Sequence, residues 1–409
     1  MAIAAVPEYL GQAFATASPG LRFGMYLKLW GGNRRTGEIV WGKQDISYEP
    51  RGQDKREREI RKENKVSALQ EAVCLTENDK QTLAALRQRQ QQLFATLDEE
   101  SALVLDATAV APFTTGLGNE HPLENGFAFL NPYGLPFLPG SGIKGVLRQA
   151  ARELASGDWG EGSGWNDAAI TALFGLESED RESEHQRGAL RFWDVIPQIK
   201  GKSLSVEIMT PHQKHYYQEG GTPHDCGQPV PISFLTLPPG SGFTFYLQCD
   251  RTLLDNLAPL LLQDEQWKVL LEQAFEHAFS WLGFGAKTAV GYGAMQVDQQ
   301  KKTERAAARQ RAREAEDERK RMEERAKLPP EQQAIAAFED RLRADTESKG
   351  KGLGTPLGAE LRQLVEAAEH WDQQWRQQVQ AITKDVFEYL GVNRRKSNAA
   401  KDLWRRLND

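Results

Sequence analysis

The feature that most constrains this fold is an abrupt change of composition after Asp298. The stretch that follows, QQKKTERAAARQRAREAEDERKRMEERAK, is almost free of large apolar side chains. Because such a segment has no apolar face to bury against a core, it predicts a solvated helical linker. A chain of 409 residues also exceeds what one compact core usually organises. We therefore predict a core at 1–298, a charged helical linker at 299–328 and a C-terminal domain at 329–409.

The part of the chain after Pro329 and Pro330 regains apolar residues at helical spacing. They are Ile335, Phe338, Leu342, Leu361, Leu364, Val365, Trp371, Trp375, Val379, Ile382, Phe387 and Leu390. This pattern predicts a small helical domain. Its final stretch, GVNRRKSNAAKDLWRRLND, is basic.

The first 298 residues mix strand and helix signals. Strand-like segments lie at Leu21–Trp30, in SALVLDATAVAP, in GALRFWDVIP, KSLSVEIMTP, VPISFLTLPPG and GFTFYLQ, and at about Tyr292–Val297. Helical spacing occurs at about Val66–Leu97, after Ser141 as N-cap, at Asp167–Phe174 and at about Leu253–Leu282. The run WGKQDISYEPRGQDKREREIRKENK predicts a solvated loop that leads into a helix, as part of an insertion at about 43–98. Interleaved short strands and few helices predict an α+β fold, as in a ferredoxin-like sheet with large insertions.

Charge, cysteine content and hydropathy exclude several classes of protein. A formal net charge of −6 argues against a strongly basic free-standing nucleic-acid binder, although it permits one basic face. The three cysteines are too far apart for a disulfide framework and fit a reducing compartment. No apolar run is long enough to span a membrane, and the start MAIAAVPEYLG lacks the features of a signal peptide. We expect a cytoplasmic protein without membrane contact.

The first informative block runs from GLGNEHPLENG to PYGLPFLPGSGIKGVLRQAARELA. An irregular loop at 113–139, rich in Gly, Pro and Asn, leads into a helix whose first-turn N–H groups favour an anion such as phosphate. Lys144, Arg148 and Arg152 follow on one face at i, i+4 and i+8. Such like-charge pairs cost an isolated helix about 0.2–0.5 kcal/mol each, so helix stability does not explain them. The alternative is a polar face that happens to be basic.

The second block, WLGFGAKTAVGYG, places four glycines around Lys287 and Thr288. It is not a phosphate-binding P-loop, because Ala286 stands where the motif requires Gly and the predicted order is helix, loop, strand. ATP hydrolysis is therefore disfavoured. The glycines would let a ribose-phosphate backbone approach the main chain while Lys287 supplies charge. A tight helix-to-strand turn with positive φ is the alternative for one or two of them.

The third block, MTPHQKHYYQEGGTPHDCGQP, gathers His212, His215, His224 and Cys226. These are zinc-ligand types, but their spacing matches no familiar finger, and we expect neither metal nor cofactor. We favour a loop in which His212, Lys214, His215 and two tyrosines offer charge and stacking faces to unpaired bases. Structural packing of the tyrosines is the alternative.

No set of residues for hydrolytic chemistry stands out. Asp194, Asp225 and Glu120 beside His121 are single carboxylates of a kind that occurs by chance. Asp194 lies near the end of a predicted strand, and we expect it to make a structural hydrogen bond. We therefore expect no enzymatic activity.

In their order and amino-acid sequence, these blocks resemble the RAMP superfamily of CRISPR proteins, and within it the sixth-subunit family of the type III-B (Cmr) effector complex. The resemblance covers roughly Val104–Val297. It implies a ferredoxin-like (RRM-like) core whose glycine loop and insertions hold a CRISPR guide RNA near its 3′ end, beside the repeated backbone subunits. Target cleavage resides in other subunits of that family's complex, so the resemblance implies a non-catalytic scaffold in antiviral defence that reaches target RNA through the guide.

The resemblance also assigns RNA-binding candidates. They are Gly140, Ser141, Gly142, Lys144, Gly145 and Arg148 in the first RAMP element, and Gly283, Gly285, Lys287, Thr288, Gly291, Tyr292 and Gly293 in the terminal glycine loop. To these we add His121, His212, Lys214 and His215 from the residue types themselves. The insertion and the C-terminal extension make this chain longer than the family's compact form.

Two other functions stay open on the sequence. One is a stand-alone endoribonuclease that processes precursor RNA, with His121 or His212 as general base and Lys144 as phosphate clamp. The other is a protein-docking adaptor whose C-terminal helices do the binding while the core is structural.

Overall fold

A computed structural model of the chain describes residues 2–51, 56–159, 164–176, 185–210, 220, 222 and 231–408. They form two compact units, Met1–Thr303 and Glu304–Asp409. The first unit mixes strands and helices, and the described part of the second contains helices only. The predicted α+β class with C-terminal helices is therefore confirmed. None of the described helices is both long enough and apolar enough to cross a bilayer.

The strands all lie in the first unit. In chain order they are β1 (Gly31–Gly32), β2 (Ile39–Val40), β3 (Gln44–Arg51), β4 (Arg56–Glu63), β5 (Ala102–Ala109), β6 (Phe129–Leu130), β7 (Leu135–Pro136), β8 (Leu190–Phe192), β9 (Ser205–Met209), β10 (Ile232–Thr236), β11 (Gly242–Cys249) and β12 (Met295–Val297).

The helices are distributed over both units. Those of the first unit are α1 (Pro19–Gly24), α2 (Lys65–Ala72), α3 (Glu77–Phe94), α4 (Gly140–Ala155), α5 (Asp167–Phe174), α6 (Arg251–Leu257) and α7 (Gln266–His277). Helix α8 (Gln299–Ala326) begins in the first unit and continues into the second, which adds α9 (Pro330–Ala344), α10 (Pro356–Ala368), α11 (Gln373–Tyr389) and α12 (Asn398–Arg406). A π-helical segment, Ala278–Leu282, extends α7, and short 3-10 turns lie at Glu8–Leu10, Glu99–Ser101, Pro259–Glu265 and Thr288–Val290.

A four-stranded antiparallel sheet forms the centre of the first unit, in the order β12-β5-β11-β8. Helices α4 and α5 follow β5 in the chain, and α6 and α7 follow β11. On the core side, Phe245 of β11 is fully buried. Its ring centroid lies 5.1 Å from those of both Phe275 and Phe284. The β9–β10 hairpin, in which Met209 pairs with Ile232, is a separate two-stranded sheet.

The charged segment after Lys43 is a β-hairpin, so the prediction of a solvated loop is wrong. Strands β3 and β4 pair along their whole length. The pairing sets Asp45 against Lys62 and Glu49 against Arg58, and opposite charges directly across an antiparallel pair stabilise it. The alternation of charges is thus a strand pattern. The helices predicted to follow are confirmed as α2 and α3.

The predicted strand at Leu21–Trp30 is also wrong, because helix α1 occupies its first residues. Pro19 stands at the first helical position, where its fixed φ favours a helix. The buried Arg22 side chain donates to the backbone carbonyl of Ala17 at 2.9 Å and also to those of Glu71 and Cys74. These tertiary hydrogen bonds outweigh the β-rich composition of the segment.

The second unit has its own hydrophobic core. The fully buried side chains at its centre are Leu357, Leu361, Val365, Ala368, Val379, Val386, Leu390 and Ala400. Helix α8 contributes no buried residue. Ion pairs of Glu316 with Arg319 at 2.8 Å and with Lys320 at 3.7 Å lie along its surface.

Candidate nucleic-acid interface

Helix α4 begins at a close contact between two backbones. A Cβ atom at Gly140 would lie 2.3 Å from the carbonyl oxygen of Phe192, so only glycine fits there. The Gly140 N–H donates to Oδ1 of Asp194 at 2.7 Å. The helix starts at Gly140 with Pro139 as N-cap, so the prediction of Ser141 as N-cap is wrong, and Ser141 lies exposed in the first turn. The structural hydrogen bond expected of Asp194 is confirmed, and this anion of the chain itself uses one donor of the helix end.

Replacing Asp194 tests this cap. We expect Asp194→Ala to lower the free energy of unfolding of the first unit by about 1 kcal/mol, the usual effect of losing a capping side chain. Asp194→Asn keeps an acceptor oxygen and should lose less. Chemical denaturation of the two variants against wild type measures both values. Equal losses for Ala and Asn would show that the hydrogen bond contributes nothing.

The outer face of α4 carries the predicted cations. Ile143, Leu147, Ala150 and Ala151 form the buried face. Lys144 is partly buried, and burial together with the charge of Arg148 lowers the pKa of its ammonium. Within the described ranges no carboxylate pairs with Lys144. Arg148 donates to the carbonyl of Gly175 at the end of α5, although its Nε is buried without a partner. Among the described residues, Lys144 thus has no carboxylate or carbonyl partner.

Two glycines in the same helix have no internal reason to be glycine. A Cβ at Gly145 would meet nothing within 4 Å, and one at Gly142 would meet only Cδ1 of Leu138, at 3.7 Å. Glycine in a helix interior is destabilising by roughly 0.5–1 kcal/mol relative to alanine. Without side chains at these two positions, the backbone of α4 is open to close approach from outside.

Two glycines of the glycine loop, residues 283–293, pack tightly against neighbouring backbone. A Cβ at Gly285 would lie 2.2 Å from the carbonyl oxygen of Thr114, and one at Gly293 would lie 1.8 Å from that of Phe284. Gly283, Gly285, Gly291 and Gly293 all have positive φ. Internal packing therefore requires glycine at positions 285 and 293, and the positive φ of all four glycines fits the alternative of a tight turn. Gly291 faces open space.

Lys287 and Tyr292 lie against the β9–β10 hairpin. The Nζ atom of Lys287 is 3.2 Å from Sδ of Met209 and 5.5 Å from the ring centroid of Phe234. The Tyr292 ring lies 5.5 Å from the same Phe234, and burial followed by the Glu207 charge raises the pKa of its phenol. Lys287 adopts a left-handed φ of 59°, which favours glycine. Thr288 follows it at the start of the 3-10 turn. In the described part of the chain, no carboxylate pairs with Lys287.

His121 is held by hydrogen bonds on both sides of its ring. Its Nδ1 accepts from the N–H of Leu123 at 3.2 Å, which leaves Nε2 to donate to the carbonyl of Phe23 at 2.9 Å. The ring stacks on that of Phe23 at 3.8 Å. Burial, the main cause, and the charge of Lys43 lower the pKa of the imidazole, while the Phe23 carbonyl acts in the opposite direction. With both nitrogens engaged, the ring has no free acceptor for a general base.

The lowered pKa of His121 predicts a pH dependence. The unfolded chain binds a proton on this residue near the ordinary pKa of 6.5, and the folded chain does so only at lower pH. The free energy of unfolding should therefore fall as pH drops below about 6.5. Denaturation of wild type and His121→Gln between pH 8 and 5 measures the difference. A difference in stability that does not change with pH would contradict the expectation.

The described contacts place the predicted residues in three settings. Lys287 and Tyr292 pack against the β9–β10 hairpin, Lys144 and Arg148 belong to α4, and His121 packs against Phe23 of α1. His212, Lys214 and His215 fall outside the described residues, as do His224 and Cys226. The segment that carries them joins Met209 to Ile232, and Met209 contacts Lys287. Among the described side chains, no group of three or more His, Cys, Asp or Glu residues is arranged to hold a metal ion.

Comparison with known proteins identifies the family. Residues 106–296 match the model of the RAMP superfamily. A curated relative, the CRISPR system Cmr subunit Cmr6 of Pyrococcus furiosus, is 28% identical over 230 residues, and the match covers 44% of this chain. Residues 106–296 are therefore a RAMP superfamily segment, and the chain is related to Cmr6. The match spans 63% of the relative's length.

Two solved structures are also similar to this RAMP protein. One is the cryo-EM structure of the type III-B Cmr-beta bound to cognate target RNA, with 20% identity, 57% of this chain and 70% of that chain covered and a TM-score of 0.40. The other is the crystal structure of Cmr6 from Pyrococcus furiosus, with 24% identity, 48% and 97% coverage and a TM-score of 0.27.

Sequence reasoning predicted a structural hydrogen bond for Asp194 but not its partner in α4, and it missed the contacts of Met209 and Phe234 with Lys287. The cap formed by Asp194 joins two segments far apart in the chain, and the contact of Met209 and Phe234 with Lys287 depends on the β9–β10 pairing. Neither pairing is visible in local spacing. The sequence signal that could have indicated the cap is Asp194, a carboxylate at the end of a strand that is not followed directly by a helix.

Proposed function

We propose that this chain is a Cmr6-like, non-catalytic subunit of a type III-B CRISPR ribonucleoprotein effector complex. In this role its RAMP core binds the backbone of the guide RNA near the 3′ end and packs against neighbouring subunits. Target RNA is reached through the guide, in antiviral defence. The match to the Cmr6 relative supports the family role, and the residues of α4 and of the glycine loop support the contact with RNA.

One observation carries the proposal. Lys144 and Lys287 have no carboxylate partner among the described residues, and each lies near glycines that open onto free space, Gly145 and Gly291. Lysine and exposed backbone N–H groups bind phosphate without reading base identity. A guide-binding protein has to accept any spacer sequence, because base pairing supplies the specificity. These elements suit that requirement.

We further infer that the central sheet is a ferredoxin-like core. Its strands β5, β8, β11 and β12 are the first, second, third and fourth in the chain, so their spatial order is 4-1-3-2. Helices follow the first and the third of them. This βαββαβ order supports the inference. The β9–β10 hairpin is then an insertion between the second and third strands.

The test uses the complex reconstituted with guide RNA and its other subunits. We expect Lys144→Ala with Lys287→Ala to remove nuclease protection at the 3′ end of the guide while target cleavage elsewhere continues. Affinity should fall at least about tenfold, since a hydrogen bond to a charged group contributes roughly 1.5–3 kcal/mol. Lys80→Ala with Lys302→Ala, which removes two lysines from α3 and α8, is the matched control.

Other outcomes of this test select the other functions. Unchanged protection in the double variant would contradict the proposal and favour the adaptor, whose C-terminal helices bind protein. Metal-independent RNA cleavage by the isolated chain would favour the endoribonuclease. The engaged ring of His121 argues against that residue as its base.

A further inference from the structure

Two loops of the second unit meet at one end of its helices. The N–H of Gly350 donates to the carbonyl of Tyr389 at 3.0 Å, and that of Gly352 donates to the carbonyl of Leu390 at 2.9 Å. A Cβ at Gly391 would lie 3.4 Å from Cα of Gly350. The loop 348–352 is thereby fixed against the loop 391–397, which precedes α12.

These two loops concentrate positive charge. Their sequences, SKGKG and GVNRRKS, contain five cations and no carboxylate. We call this surface the basic pole and define it by Lys349, Lys351, Arg394, Arg395 and Lys396, all exposed. Because like charges this close repel one another, their accumulation is not a stabilising feature of the unit.

Several other arginines of this unit form ion pairs with carboxylates. Arg325 pairs with Asp340, Arg341 with Glu360, and Arg406 with both Asp402 and Glu369. Across the described side chains, none of the five cations of the basic pole has such a partner. Their charge is left for an external anion.

Arg394 is held by an aromatic ring. Its guanidinium lies 4.3 Å from the ring centroid of Trp404. This contact orients a planar donor group at the surface, and such groups bind phosphate with two parallel hydrogen bonds. A guanidinium plane also provides a stacking face for an unpaired base.

The residues around the basic pole indicate which class of anionic partner it binds. Every exposed large hydrophobic side chain of the described residues lies outside 330–408. A protein interface usually has an apolar core, and a membrane-binding surface needs apolar residues that insert. Binding to a nucleic-acid backbone needs only cations and donors. We propose that the basic pole binds the phosphate backbone of single-stranded RNA. This contact uses none of the residues of the proposed guide site and does not rest on it.

The test measures binding of the full-length chain to a fluorescently labelled single-stranded RNA of mixed sequence over a range of salt concentrations. The pole variant is Lys351→Ala with Arg395→Ala and Lys396→Ala. Its matched control is Arg311→Ala with Arg321→Ala and Lys327→Ala, which removes three exposed cations from and just after α8. We expect the pole variant to bind at least about tenfold more weakly at low salt. Its slope of log affinity against log salt should be smaller by about 2, at roughly 0.7 for each phosphate that the variant no longer neutralises.

Three results would overturn this inference. They are equal affinities for the pole and control variants, no binding of RNA by the wild-type chain at low salt, and a pole variant that keeps its RNA affinity but no longer enters the reconstituted complex. The last result would assign the pole to a protein partner. The Lys144→Ala with Lys287→Ala variant should keep the part of the salt dependence of RNA binding that the basic pole contributes. The experiments can therefore contradict this inference without contradicting the proposed guide site, and the reverse.

Discussion

Gly293→Ala is expected to destabilise the RAMP unit by more than about 3 kcal/mol, the largest effect of any single methyl group we anticipate. Its Cβ would stand 1.8 Å from the carbonyl oxygen of Phe284, whose N–H donates to the Gly293 carbonyl at 2.9 Å. Relief of this overlap requires the two ends of the glycine loop to separate. Phe284 is fully buried against Phe245, so the separation would also open the core. Thermal and chemical unfolding measure the loss.

Gly291→Ala is the control for this effect. Both glycines have positive φ, 92° at Gly291 and 72° at Gly293, so both substitutions carry the same conformational strain of about 1–2 kcal/mol. Only Gly293 adds the steric overlap, because Gly291 has nothing within 4 Å of the new atom. If the two variants unfolded alike, the contact of Gly293 with Phe284 would have no role in stability.

Gly145→Gln should stabilise the fold while it weakens guide binding. Glutamine is a good helix former, and nothing lies within 4 Å of the added Cβ, so the free energy of unfolding should rise by roughly 0.5–1 kcal/mol. The longer side chain would occupy the surface beside Lys144 that we assign to RNA. In the reconstituted complex we expect affinity for guide to fall by about tenfold, equivalent to 1.4 kcal/mol. Denaturation and guide-binding measurements on one preparation give both values.

The matched control is Gly24→Gln, at the end of helix α1. It is another exposed helical glycine with nothing within 4 Å of an added Cβ, and it lies outside both RAMP elements. Guide binding should be unaffected by this change. A Gly145→Gln chain that bound guide normally would mean that the α4 backbone does not approach RNA, and the glycine would then lack an explanation.

The elements predicted well from the sequence are those whose signal is local. The sequence predicts helix α5 at Asp167–Phe174, and the helix has these bounds because Asn166 caps it and Gly175 ends it. Strands β8 to β11 lie inside segments bounded by proline and glycine. The predictions are wrong where contacts between residues far apart in the sequence determine the local structure. Arg22 holds α1 through carbonyls beyond the insertion hairpin, and α4 begins two residues earlier than predicted, where Asp194 accepts from its first N–H.

The same distinction between local signals and distant contacts applies to the candidate site. Lys287 is visible in the sequence because a cation lies among glycines, but no local pattern shows that Met209 and Phe234 form the surface beneath it. His121 illustrates the opposite case. Its residue type and its place in a glycine-rich loop favour a chemical role, whereas the fold stacks it on Phe23 and engages both nitrogens. Residue type alone does not distinguish a buried structural histidine from a catalytic one.

The carboxylate at the start of α4 has a consequence for competition between ligands. Asp194 is part of the same chain, so its local concentration at the Gly140 N–H far exceeds that of any free anion at millimolar level. Inorganic phosphate and mononucleotides therefore gain little from this helix end. A polymer that engages Lys144 and further cations together does not need that donor. We therefore expect the self-supplied carboxylate to make the proposed RNA surface discriminate by ligand length, so that long polyanions bind in preference to the small anions of the cell.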